Sequence, residues 1–278
     1  MNTEKRIKSE AKALLSKGNW SSSLCVFFIL FASVLMVLFL QSFFVLGADV
    51  VLSPLFNALA KIEQIFSLEM EDSLANSIIL LVGGSLGYIA YAIGFLFLFP
   101  LYCGVKRFFY LMTKGEEAKV SDLFYYFTKK LKGSLLLGLR YGLLCVVKFL
   151  PCIAPAYILF AVIMSGEFSP LANSLLTISV FVTGIAGFAL WILWTSRQFL
   201  TIYLFIENDS LPSGVYIKES ERILNYTLNK SVRKLFYSFG GWLLFALTGV
   251  GMLYFVPFSE ASLATSAKWI IKLDKEVC

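Results

Sequence analysis

Four long apolar stretches dominate the chain, and each is long enough to cross a lipid bilayer as an α-helix. The first, Leu24–Leu46, has no charged residue; the others are Ile78–Tyr102, Ser134–Ile163 and Leu175–Tyr203. Only 15% of all residues are charged, whereas soluble domains carry about 25%. We therefore expect an all-α integral membrane protein. The first stretch is too long for the apolar part of a signal peptide, so we expect it in the mature chain.

The segment after the fourth stretch is compatible with two topologies. Val232 to Phe258 can form one further span, which makes five. It can equally form a helix that ends near Thr248, a turn at Gly-Val-Gly and a second helix from Met252 to about Ile271, which makes six. The choice decides on which side of the membrane the C-terminal tail lies.

The distribution of Lys and Arg favours six spans. Cytoplasmic loops of membrane proteins are rich in these residues. With six spans, only Lys61 among the basic residues outside the spans lies in a loop on the outer side. With five, the tail residues Lys268, Lys272 and Lys275 join it there. Both topologies place the N-terminus in the cytoplasm, and the net charge of +6 becomes a basic rim that faces anionic lipid headgroups.

A basic amphipathic stretch precedes each pair of predicted spans. Apolar residues at helical spacing on a basic background are typical of helices that lie at the membrane surface. The predicted apolar faces are Ile7, Ala11, Leu14 and Leu15, then Leu123, Phe124, Phe127 and Leu131, then Ile223, Leu224 and Leu228, the third after a helix start near Pro212-Ser213. We interpret the chain as one membrane domain, 1–278, that repeats a helix-plus-hairpin unit three times. Its segments are 1–23, hairpin 24–102, 103–133, hairpin 134–206, 207–231 and hairpin 232–271.

Charged residues inside predicted spans are the candidate functional residues. A charge in the bilayer is costly, so it faces protein, water or headgroups. Arg140, Arg197 and Glu260 all lie about 10–15 Å from the predicted inner boundary at 1.5 Å per residue. We predict that these three form one buried polar cluster. Lys148 is predicted to reach the outer headgroups. Arg140, which lies in the Gly-x-x-x-Gly stretch "GLRYG", is predicted to point into protein, with the inner headgroups as the alternative. The alternative for Arg197 is the cytoplasmic flank of a span that ends near Trp194.

Several classes of chemistry have no support in the sequence. The chain has no histidine, which excludes Ser-His and Cys-His pairs and histidine metal sites. Its five cysteines show no metal-ligand spacing, and no phosphate-binding loop is present. We therefore predict no catalytic residue, no cofactor and no metal site. The lipid bilayer, with anionic headgroups along the basic rim, is the predicted partner, and nucleic acid is not.

Both ends of the chain carry motifs that resemble one family. The N-terminal "IKSEAKALLSKGNWSSSL" is similar to the opening of a family of bacterial integral membrane proteins filed as domain of unknown function nine-seven-five, whose members have an "LKGNW" step before the first span. "FLTIYLFIENDSL", "IKESERIL" and the ending "RKLFYSFGGWLLFALTGVGMLYFVPFSEASLATSAKW" resemble its C-terminal half. The chain departs from the family in "SEAS" after Pro257 and in a longer outer loop. The resemblance implies a multi-span protein of the bacterial cytoplasmic membrane and supplies no catalytic residue.

Two functions remain open on the sequence. The first is a non-enzymatic membrane protein that handles lipid or is accessory to an envelope complex. The alternative is a transporter of a small solute or ion whose pathway contains the Arg140, Arg197 and Glu260 cluster. An intramembrane enzyme is disfavoured because no span contains a nucleophile beside a base.

Overall fold

A computed structural model describes residues 3–39, 42, 72–166, 169–208, 210–224, 230, 232–235, 239 and 250–277, with the backbone alone for 72–91. Within these residues all regular structure is helical and there is no β-strand. This confirms the all-α class. Four helical segments are long and apolar enough to cross a membrane: Trp20–Phe39, Ala92–Lys114, Leu131–Met164 and Pro170–Glu207. They overlap the four predicted stretches.

The N-terminal amphipathic helix is present. Helix α1 (Thr3–Leu14) passes through a wide π-type turn at Leu15–Asn19 into α2 (Trp20–Phe39). Ile7, Ala11 and Leu15 are buried as predicted, while Leu14 is only partly covered. The predicted face of α1 therefore packs onto protein.

Helix α3 (Asp72–Lys114) is longer than a membrane is thick. Its 43 residues extend about 64 Å, roughly twice the hydrocarbon thickness. Side chains such as Phe95 and Phe97 are exposed, whereas Phe108 and Phe109 further along are buried. The last turns of α3 therefore belong to a protein core, and the helix ends at Gly115, whose φ of 80° suits glycine.

The next segments lead into a pair of long helices. A 3₁₀ turn (Val120–Phe124) and the short α4 (Tyr125–Thr128) precede α5 (Leu131–Ser165) and α6 (Pro170–Thr195). In the first turn Leu123 is buried, but Phe124 and Leu131, predicted on the same apolar face, are exposed. The 3₁₀ turn and the break before α5 interrupt the predicted amphipathic helix, so its apolar residues do not form one continuous face.

Helices α5 and α6 run antiparallel in close contact. The indole Nε1 of Trp191 donates a hydrogen bond to the Cys145 carbonyl oxygen at 3.0 Å. Further along, Gly187 lies against the Cys152 carbonyl so closely that a Cβ there would be 2.1 Å from the oxygen. Ser169 caps α6 by accepting from the Ala172 backbone N–H at 3.3 Å. The outer faces of both helices are apolar and exposed, as a bilayer requires.

The remaining helices are shorter or lie near the C-terminus. A 3₁₀ turn at Ser196–Gln198 separates α6 from α7 (Thr201–Glu207), and α8 (Ser213–Ile223) follows. Helix α8 begins directly after Pro212, as predicted. Helix α9 is described over Val250–Val277, so Val250 and Gly251 of the predicted Gly-Val-Gly turn are helical. Residues 236–238 and 240–249 lie outside the described part, so six spans in three hairpins stays a prediction.

A hydrophobic core joins several of these helices. It contains the buried face of α1, the last turns of α3, Leu123, the start of α7 and the middle of α9. The carboxylate of Glu207 ties α7 to α3 and α9, because it accepts from Tyr110 at 2.7 Å and pairs with Lys114 at 2.6 Å and Lys275 at 3.5 Å. This core therefore packs α1, the end of α3, α7 and α9 against one another.

Candidate functional site

The candidate site begins at the break between α6 and α7. Helical hydrogen bonding is interrupted at Ser196–Leu200, and free backbone groups must find other partners. The buried Ser220 hydroxyl of α8 supplies them: it accepts from the Leu200 N–H at 3.1 Å and donates to the Arg197 carbonyl at 2.9 Å. Helix α8 is thereby attached to the break.

Helix α8 also lies along α5. At one end, a Cβ added to Gly214 would be 3.0 Å from the Arg140 guanidinium. About two turns further along α8, Glu221 forms an ion pair with Lys148 at 3.1 Å. The two contacts are seven residues apart on α8 and eight apart on α5. The helices therefore run side by side in the same direction.

Two donors converge on one oxygen atom of Glu221. The Lys148 ammonium reaches Oε1 at 3.1 Å, and the Gln198 amide nitrogen donates to the same atom at 3.2 Å. The Lys148 side chain is only 9% exposed and lies 5.7 Å from the Trp194 ring, whereas the Glu221 side chain is 40% exposed. The donors are thus fixed inside protein, and the acceptor lies at the edge.

Two cavities meet at this point. The polar pocket, of about 750 Å³, lies between α5, the helix break and α8, and its lining includes Lys148, Arg197, Lys218 and Glu221. The apolar groove, of about 660 Å³, runs between α5 and α6 past Pro151, Pro155 and Leu190. Both volumes are in the usual range for ligand sites. Trp194 and Arg197 line both cavities, so the two adjoin at these side chains.

Positive charge exceeds negative charge in these cavities. Their lining contains one carboxylate, Glu221, and the five cations Lys148, Arg197, Lys218, Arg222 and Arg233. Within the described part of the chain, Arg197, Lys218 and Arg233 take part in no ion pair. The surplus attracts an anion.

Arg222, by contrast, is held by two carboxylates. It pairs with Glu219 at 2.7 Å and with Asp274 of α9 at 2.8 Å. The hydrogen bond from Arg222 lowers the pKa of Glu219, and the Glu219 and Asp274 bonds raise the pKa of Arg222. This contact joins α8 to α9.

A second buried ion pair lies in the hydrophobic core. Lys106 of α3 and Glu260 of α9 are 2.6 Å apart, and their side chains are 5% and 15% exposed. The Lys106 ammonium also lies 5.0 Å from the Tyr102 ring and 5.9 Å from the Tyr203 ring. The cation is therefore compensated by a carboxylate and two aromatic faces.

The three predicted site residues are placed in two different locations. Glu260 forms its ion pair with Lys106. Arg197 lines the polar pocket, and Arg140 adjoins it beside Gly214. Both arginines are exposed. The two arginines are therefore near one pocket, and Glu260 has a different cation as its partner. A functional role for the three residues stays a prediction.

Two predicted side-chain orientations are wrong. Lys148 is buried and paired with Glu221 instead of reaching the outer headgroups, and Arg140 is exposed. In "GLRYG" only the first glycine is in tight contact: a Cβ on Gly138 would be 2.6 Å from Phe99, while Gly142 has open space. A cation within an apolar run was the sequence signal that Lys148 belongs to a site. The sequence did not identify its partner, Glu221, which lies 73 residues away on another helix. The glycines of "GGSLG" fall where only the backbone is described.

No family model, curated protein or solved structure matches this chain. The geometry of the two cavities therefore carries the functional argument.

Proposed function

We propose that this chain is a multi-span protein of the bacterial cytoplasmic membrane, with its N-terminus inside, that binds membrane lipid without catalysis. The family resemblance in "SKGNW" and "IKESERIL" supports the location. One observation carries the function: an apolar groove between two lipid-facing helices adjoins a polar pocket at Trp194 and Arg197. A lipid has the same two parts, acyl chains joined to a polar headgroup.

The position of the cavities along the helices supports this proposal. From Lys148 to the end of α5 is about 26 Å, and from Leu171 to Trp194 on α6 is about 35 Å, at 1.5 Å per residue. Both lengths approximate the hydrocarbon thickness of about 30 Å. The polar pocket then lies one membrane thickness from the α5–α6 connection, at the headgroup level of the inner leaflet. Trp194 at the junction suits that level.

Lipid retained by the purified protein tests the proposal. Ala186 is exposed and lines the apolar groove, whereas Ala189 on the same helix is exposed outside it. We expect native mass spectrometry to show bound phospholipid on the wild type and on Ala189→Trp, and at least about a tenfold lower occupancy on Ala186→Trp, because an indole fills the groove. Equal occupancy in the two variants would remove the groove from consideration.

The buried Lys106–Glu260 pair supports the transporter as a second candidate. Ionisable residues within membrane helices often mark a pathway for ions or solutes. In this case the pair, with Arg140 and Arg197, would form part of a route through the protein. Wild-type protein that retains no lipid in the experiment above favours this candidate over lipid binding.

A further inference from the structure

We propose that the polar pocket selects phospholipids whose headgroup is a net anion, and that the lipid phosphate takes the place of Glu221 on Lys148 and Gln198. The inference rests on the proposed lipid binding and specifies the lipid class for the same site. Its basis is the geometry around one oxygen atom and the balance of charge in the pocket.

The pair of donors forms a ready-made oxyanion site. Lys148 and Gln198 come from different helices, yet their donor atoms lie 3.1 and 3.2 Å from the same Glu221 oxygen. A phosphate oxygen accepts hydrogen bonds at the same distances. A phosphate oxygen placed where Oε1 now lies therefore keeps both hydrogen bonds.

The exposure of the three groups decides which one moves. Gln198 is fully buried and the Lys148 side chain is 9% exposed, so both are fixed by packing. The Glu221 side chain is 40% exposed and can rotate into water, where a carboxylate is well solvated. An incoming phosphate thus leaves no buried charge without a partner.

Surrounding charge determines the class of headgroup. Arg197 and Lys218 line the same pocket without an ion pair within the described chain, and Arg233 lines the adjoining groove. A phosphate with an uncharged glycerol headgroup meets these three cations, and Glu221 is the one carboxylate among the lining residues. A choline or ethanolamine headgroup would place its own cation among these side chains, which is repulsive.

The apolar groove indicates that the bound phosphate belongs to a membrane lipid, because only a lipid has acyl chains that can fill it. The apolar groove starts at Trp194 and Arg197 and runs along α5 and α6 on their lipid-facing side. A free phosphate ester would fill the polar pocket alone and forgo this contact. We therefore expect a lipid to bind far more tightly than the glycerol phosphate that corresponds to its headgroup.

The test is a titration of purified protein in detergent by isothermal calorimetry. The probes are dioctanoyl phosphatidylglycerol, dioctanoyl phosphatidylcholine and glycerol phosphate. For the wild type we expect phosphatidylglycerol to bind at least about tenfold more tightly than phosphatidylcholine, and glycerol phosphate to bind too weakly to measure.

Two variants test the exchange. Glu221→Gln removes the competing carboxylate from Lys148, so we expect about a threefold to tenfold gain in affinity for phosphatidylglycerol and no gain for phosphatidylcholine. Glu276→Gln makes the same change in net charge on α9, where Glu276 pairs with the exposed Lys272 and lines neither cavity, so its affinity should stay at the wild-type value.

Each other outcome contradicts a defined part of the argument. No binding of either lipid removes the proposed function itself. Equal binding of the two lipids leaves lipid binding standing and overturns headgroup selection. Equal gains in both variants, or none in Glu221→Gln, overturn the exchange on Lys148. Glycerol phosphate that binds as well as the lipid overturns the membrane source.

Discussion

The Lys106–Glu260 ion pair allows a quantitative test of the core. Replacing Glu260 with Gln leaves the Lys106 ammonium at 5% side-chain exposure without its carboxylate. Loss of one partner of a buried pair costs about 3–5 kcal/mol in the free energy of unfolding. The faces of Tyr102 and Tyr203, at 5.0 and 5.9 Å, still stabilise the cation, which favours the lower end of that range, about 3 kcal/mol.

Thermal unfolding in detergent measures this cost. For chains of about this length, 1 kcal/mol corresponds to about 2–4 °C in Tm, so Glu260→Gln should lower Tm by about 10 °C. The double variant Lys106→Met/Glu260→Leu should recover most of the loss, because an apolar pair of similar volume needs no compensation. Fluorescence-detected size exclusion after heating follows both variants.

A control on the same helix isolates burial as the cause. Lys272 and Glu276 form an exposed pair on α9 at 3.7 Å, with side chains 66% and 58% exposed. Glu276→Gln should leave Tm unchanged within error, because exposed pairs contribute little. The reasoning is refuted if Glu260→Gln also leaves Tm unchanged, or if the double variant is no more stable than the single one.

Two further predictions concern the helix contacts around the site. Gly187→Ala should cost about 1–3 kcal/mol in the free energy of unfolding and so lower Tm, because its Cβ would be 2.1 Å from the Cys152 carbonyl oxygen. Gly184→Ala, whose Cβ has only ordinary contacts, should leave Tm unchanged or raise it. Equal effects of the two variants would contradict the close α5–α6 contact. The pKa of Glu219 is lowered by Arg222, so the stability that this pair contributes is present above the ordinary glutamate value near 4.5 and is lost as pH falls through the lowered pKa. The Tm difference between wild type and Glu219→Gln should therefore be constant from about pH 5 to 8 and disappear in acid, and a difference that grows in acid would reverse the sign of the argument.

Local patterns predicted much of the helical structure. The spacing of Ile7, Ala11 and Leu15 identified the buried face of α1, and Pro212 identified the start of α8. The first prediction depends on helical periodicity and the second on the fixed φ of proline. Both are short-range rules that involve only neighbours in the chain. The same rules predicted one continuous amphipathic helix before α5, and the 3₁₀ turn at Val120–Phe124 changes the spacing of side chains there.

The candidate site depends on contacts that no local pattern contains. Periodicity tells which residues share a face of α5, but it does not tell which face meets α8. For that reason Arg140 was expected inside and Lys148 outside, and the packing of α8 along α5 gives the reverse. The helix break at Ser196–Leu200 creates the space for α8, and the polar pocket follows from it.

Composition and apolar length sufficed to establish an all-α chain with helices long enough to cross a membrane, because the length of a span and the cost of charge in lipid are properties of the residues themselves. The pairing of charges was decided only in three dimensions. Lys106 and Glu260 are 154 residues apart, and Lys148 and Glu221 are 73 apart. Each pair forms because packing of apolar faces brings two helices together, and a buried cation is then stable only where a carboxylate, or an anion that replaces it, lies within reach.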